Sequence, residues 1–112
     1  MPRNEVEAAY FTLLRAREDL DSLRRYEEYL RDEVRRLRRF ISEGEALADP
    51  VDARLRRWLR HTDQPLLDAV RARIGVIVDE QERLPDRLAA AEEFVAECEQ
   101  QHEQLRQGRG RG

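Results

Sequence analysis

Leu13-Leu-Arg-Ala16-Arg-Glu-Asp-Leu20-Asp-Ser-Leu23-Arg-Arg-Tyr-Glu27-Glu-Tyr-Leu30-Arg-Asp-Glu-Val34-Arg-Arg-Leu37-Arg-Arg-Phe-Ile41 is the stretch that decides the fold. Leu13, Ala16, Leu20, Leu23, Leu30, Val34, Leu37 and Ile41 fall at alternating steps of three and four, with Glu27 as the one polar interruption. That spacing puts them on one stripe of an α-helix and cannot serve a strand, whose faces alternate every second residue. Upstream, Val6 and Ala9 continue the stripe, while Asn4 and Glu7 have the spacing of a capping box. Downstream, Gly44 is a helix stop. The pattern predicts a first helix over about 4–43.

A second stripe answers the first: Leu67, Val70, Ile74, Ile77, Gln81, Leu84, Leu88, Ala91, Val95, Cys98, His102 and Leu105. Pro85 lies inside it, yet the heptad phase is the same on both sides. One helix over about 64–106, kinked at Pro85, is therefore expected, with two abutting helices as the lesser alternative. Between the stripes, Asp49-Pro50 reads as a cap followed by a first-turn proline, and Val51, Leu55 and Trp58 are spaced for a short helix over about 50–61. Thr62-Asp-Gln-Pro65 then supplies a turn and a new helix start. Residues 107–112 have nothing to bury and are expected to be disordered.

Two stripes of similar length joined by a compact connector fold most simply as a long antiparallel helical hairpin, coiled-coil-like and all-α, in a single domain over 1–106. Pairing Ile41 with Leu67 brings Glu27 near Gln81, a polar layer that would fix register. Tyr10, Phe11, Leu14, Val76, Val78, Ala89, Ala90 and Phe94 are apolar but lie off the stripes. A lone hairpin leaves many of them wet. They point to association, either as a homodimer in a four-helix arrangement or with another protein.

Composition narrows the function classes. Charged and apolar residues each make up 40% of the chain and the net charge is -3, so bulk charge gives no argument for nucleic acid. All 21 basic residues are Arg, whose planar fork suits carboxylate or phosphate. The single cysteine, Cys98, excludes an intrachain disulfide and fits a reducing compartment. The polar start Pro2-Arg-Asn-Glu5 has no signal-peptide core, and no apolar run has membrane-spanning length. A cytoplasmic setting without a membrane is expected. There is no Gly-rich phosphate loop and no nucleophile–base arrangement, so no enzyme activity, catalytic residue or cofactor is expected.

Three patterns remain as candidate sites. In the first, Cys98 and His102 share a helix face, and Glu99 and His102 form a Glu-x-x-His pair with Glu103 adjacent. Carboxylate-bridged di-metal bundles need two such pairs, and one chain has one, so ordinary stripe residues are the favoured explanation and no metal site is assigned. In the second, residues 31–61 hold nine Arg against six carboxylates. The densest runs contain Arg35, Arg36, Arg38 and Arg39, then Arg54, Arg56, Arg57 and Arg60 around Trp58. Such a patch could meet phosphate, nucleic acid or an acidic protein, but a solvated face with i,i+4 pairs explains it more simply, and nucleic acid is not favoured.

The third pattern is Glu18, Ser22, Arg25, Tyr29 and Glu33 on the first helix, the first four of them at outward positions. It resembles the E-x-x-x-S-x-x-R-x-x-x-Q-x-x-x-D signature of RsiG-type anti-sigma factors. Glu18, Ser22 and Arg25 match; Tyr29 stands for Gln and Glu33 for Asp. The resemblance implies a helical hairpin that binds cyclic di-GMP and regulates transcription. Single-chain members carry the motif on both helices. Here the second helix has no copy, so a homodimer would be needed to present two.

Taken together, the residues favour a non-enzymatic helical interaction module: a scaffold, adaptor or regulatory subunit with a protein partner, a second copy, or both. A second-messenger-responsive regulator and a nucleic-acid- or polymerase-binding hairpin are the alternatives.

Overall fold

A computed structural model describes the backbone of residues 2–48 and 53–111, and the side chains of 4–44, 57 and 63–108. Two helices make up the fold, α1 (Pro2–Ala48) and α2 (Ala53–Arg111), with no strand among the described residues. They form the antiparallel hairpin that the two stripes demand. The chain divides into two compact units, one of residues 1–27 with 83–112 and the other of 28–82.

In the first unit, Leu13, Ala16 and Leu20 of α1 pack with Val95 and Cys98 of α2, and Leu88 and Ala91 join them from the margin. Leu84 belongs to the same unit and is 1% exposed. The opposite sense of the helices shows in two ion pairs. Arg17 meets Glu99 at 3.3 Å, and Arg24, seven residues further on, meets Glu92, seven residues back, at 3.7 Å. These side chains are about half exposed, so each pair contributes at most about 1 kcal/mol. A buried Leu contributes about 1.5–3 kcal/mol. The stripe therefore supplies the stability, and the ion pairs fix register.

In the second unit, Leu30, Val34 and Leu37 of α1 and Ile77 of α2 are buried. Ile41, Leu67, Val70 and Ile74 are half-buried. Every described residue of both predicted stripes is buried or half-buried, Glu27 and Gln81 included. No polar side chain among the described residues is fully buried.

The helix boundaries differ from expectation. α1 runs to Ala48, past Gly44, because Gly44 lacks the positive φ that a left-handed cap requires. Asn4 lies inside the first turn, since α1 begins at Pro2. The expected short helix over 50–61 and the turn at Thr62–Pro65 are replaced by unbroken helix from Ala53. Pro65 deletes one backbone hydrogen bond there without ending the helix, and Gln64 Nε2 donates to Asp68 Oδ1 at 2.8 Å across that turn. Within α2, Pro85 is likewise passed without a break. The helix also continues to Arg111, beyond the expected end at 106; Gln107 Nε2 donates to Glu103 Oε1 at 3.4 Å in this last stretch. The side chains of Val51, Leu55 and Trp58 lie outside the described residues.

The units divide where the sequence pattern is interrupted. On α1 the division follows Glu27, the polar break in the stripe. On α2 it falls between Glu82 and Arg83, within the turn from which Pro85 removes a hydrogen bond.

Candidate functional site

The apolar residues outside the stripes separate into two groups. Leu14 and Val78 are half-buried, so the hairpin covers them in part. Tyr10, Phe11, Val76 and Phe94 are exposed, as are the small Ala89 and Ala90. Phe40, Leu66 and Tyr29 join the large exposed group.

Phe11 and Phe94, on different helices, converge. Phe11 is 65% exposed and Phe94 50% exposed, and both border one groove of about 420 Å³ on the first unit. Thr12, Arg15, Ala16 and Asp19 complete its lining. Tyr10 is not part of that lining: two helical turns before Arg17, it sits on the other flank, with its ring centroid 5.9 Å from that of Phe11 and 5.6 Å from that of His102. The two flanks of this unit thus differ in kind. One flank is zipped by Arg17–Glu99 and Arg24–Glu92. The other presents aromatic rings to water. A second groove, about 460 Å³, lies between Glu5, Ala8 and Thr12 of α1 and Gln101 and Leu105 of α2.

The residues shared with the anti-sigma signature are placed as follows. Glu18, Ser22 and Arg25 are exposed on α1 in the first unit, and Arg25 Nη2 donates to Ser22 Oγ at 3.2 Å. Tyr29 and Glu33 belong to the second unit. Tyr29 is 50% exposed. The Glu33 side chain is 15% exposed and is gripped by Arg36, whose Nη2 donates to Oε1 at 2.7 Å and whose Nε donates to Oε2 at 3.1 Å. This bidentate contact holds the Glu33 carboxyl below its ordinary value; the fields of Arg36 and Arg73 add to the effect, against an opposing desolvation. Reciprocally, the Arg36 guanidinium is held still more firmly protonated. The fifth motif position is thus engaged by its own helix neighbour.

Of the basic patch, Arg35, Arg36, Arg38, Arg39 and Arg57 are exposed. Arg35 lies 4.0 Å from Asp32, and Arg36 is committed to Glu33. Both are the local helix pairs that a solvated face uses. The side chains of Arg54, Arg56 and Arg60 lie outside the described residues.

In the run from 98 to 103, Cys98 is a buried free thiol in the core and Glu99 faces Arg17. His102 is half-buried beside Tyr10, and Glu103 lies 3.7 Å from Arg106. These side chains point to different neighbours. No group of three or more metal-ligating side chains is found among the described residues. Nor is any helix there long and apolar enough to cross a membrane.

The chain matches no family model, and no curated protein or solved structure resembles it significantly.

Proposed function

We propose that the protein is a non-enzymatic helical interaction module, a scaffold, adaptor or regulatory subunit that works through the exposed face of its first unit. One observation carries this reading: Phe11 and Phe94, from two helices, lie exposed on one groove. Exposed aromatic side chains that converge from separate elements are what a partner's surface covers. The buried free thiol of Cys98 supports a reducing, cytoplasmic setting. The test is affinity capture from the native host, with wild type compared against Phe11→Ser/Phe94→Ser. A polypeptide retained by wild type and lost by the variant is expected. Identical captures from the two proteins would overturn the reading.

The exposed trio Glu18, Ser22 and Arg25 favours a second reading, a regulator that responds to a cyclic dinucleotide. The guanidinium already reaches Ser22, and a phosphate oxygen could take the hydroxyl's place as acceptor. Calorimetry with cyclic di-GMP distinguishes the readings. Binding that disappears in Ser22→Ala/Arg25→Ala, and weakens in Arg25→Lys, would establish a nucleotide site. No heat at roughly 200 µM ligand, which fills about nine tenths of a site with a dissociation constant of about 20 µM, would remove it.

A further inference from the structure

We propose that the occupant of the Phe11–Phe94 groove is a second copy of this chain, paired through a two-fold axis that passes beside α1 between Arg15 and Asp19. This rests on the interaction-module reading and deepens it by naming the partner. The groove carries one cation and one anion, Arg15 and Asp19, four residues apart on the same helix. Neither is in an ion pair with another described residue, whereas the opposite flank has used its charges in Arg17–Glu99 and Arg24–Glu92.

A groove with one charge of each sign suits neither a strongly acidic nor a strongly basic partner. It does suit itself reversed. A two-fold axis turns α1 antiparallel to its copy, sets Arg15 opposite Asp19 of the partner subunit, and repeats the pair on the other side of the axis. Ala16, between the two charges, is already buried against α2, so the contact is made by the exposed side chains around it. Phe94 borders the same turn and comes close to the axis. Phe11 lies about 9 Å along the helix from the axis, at 1.5 Å per residue, and closes the margin of the contact.

The exposed parts of the two rings amount to roughly 200 Å² per copy, far below the ~800 Å² per partner of a standard stable interface. The dimer is therefore weak, with a dissociation constant on the order of 10–100 µM.

Sedimentation equilibrium of the full chain, run up to roughly 500 µM to bracket that range, tests the geometry with charge reversals. Arg15→Asp sets two carboxylates against each other at both symmetric positions. Asp19→Arg does the same with two guanidinium groups. Each is expected to raise the dissociation constant at least about tenfold, since juxtaposed like charges are strongly unfavourable. Arg15→Asp/Asp19→Arg exchanges the charges and should return the constant to within about threefold of wild type. All these sites are exposed helix positions, and circular dichroism verifies folding.

A wild type that is monomeric throughout, single reversals that pair like wild type, or a folded double variant that stays apart would each overturn the proposal. The host capture with Phe11→Ser/Phe94→Ser separates two kinds of failure. If wild type is monomeric but retains a host polypeptide that the variant loses, only the self-pairing falls. If the captures also match, the interaction-module reading falls with it.

Discussion

Replacing Pro85 by Ala should stabilise the protein. α2 passes through Pro85 without interruption, and the side chain there is exposed. Proline at this position leaves the carbonyl of Gln81 without its helical N–H partner and crowds the preceding turn. In an exposed helix interior, proline is about 3 kcal/mol less favourable than alanine. Part of that is offset, because proline also stiffens the unfolded chain by about 0.4–1 kcal/mol. The helix has already adapted to the proline, so part of the remaining strain has been relaxed. A net gain of about 1–2 kcal/mol is expected from these terms. For a chain of this size that is a rise in Tm of roughly 4–10 °C. Urea unfolding followed by circular dichroism measures it, with the midpoint rising and the slope unchanged. A loss of more than about 1 kcal/mol would mean that the native packing needs the bend that proline imposes, and would refute the inference that α2 tolerates Pro85 rather than using it.

Further perturbations test the helical frame. Gly75 is exposed within α2, and a methyl group added there would meet nothing within 4 Å, so Gly75→Ala should raise stability by roughly 1 kcal/mol in the same urea assay. A loss would place a hidden contact at that position. Leu84 is 1% exposed, and Leu84→Ala should cost about 2–5 kcal/mol; a change under about 1 kcal/mol would contradict its burial. Glu33 supplies a pH dependence. Its carboxyl titrates below the ordinary carboxylate value because of Arg36, so its contribution is present above the unfolded-state value and disappears as the pH falls through the folded one. Glu33→Gln should therefore lower Tm at neutral pH and leave it nearly unchanged well below pH 4. An equal deficit at both pH values would show that the Arg36 contact does not operate through charge.

Both stripes were legible in the sequence because helical burial follows a period that no other element shares. From Val6 to Leu105, each predicted stripe position that the structure describes avoids full exposure. The boundaries were less legible. Thr62-Asp-Gln-Pro65 has the composition of a turn and a helix start, but proline is a start signal only where the preceding chain leaves the helix. Here a long flanking helix on each side absorbs the lost hydrogen bond. Gly44 misled for a similar reason, since glycine permits a left-handed cap without requiring one.

The candidate surface was half legible. Phe11 and Phe94 stood out as apolar residues off the stripes, but their convergence depends on the register between helices 83 positions apart in sequence. The pairs Arg17–Glu99 and Arg24–Glu92 carry that register. Their signal was present as opposite charges flanking the two stripes, yet a chain with 40% charged residues offers many such matches. The outward trio Glu18, Ser22 and Arg25 was placed correctly by the heptad frame, because Leu13 and Leu20 fix which way the rest of the helix faces.

The most direct test of the interaction face is site-specific photocrosslinking in the native host. A benzophenone amino acid would replace Phe94 and, in a separate variant, Asp86, which is exposed on the same helix and unit but lies outside the groove. An interaction module working through this face should give a discrete polypeptide adduct from position 94 and none from position 86, with mass spectrometry showing whether the captured chain is a second copy. Equal labelling from the two positions, or no polypeptide adduct from position 94, would contradict it.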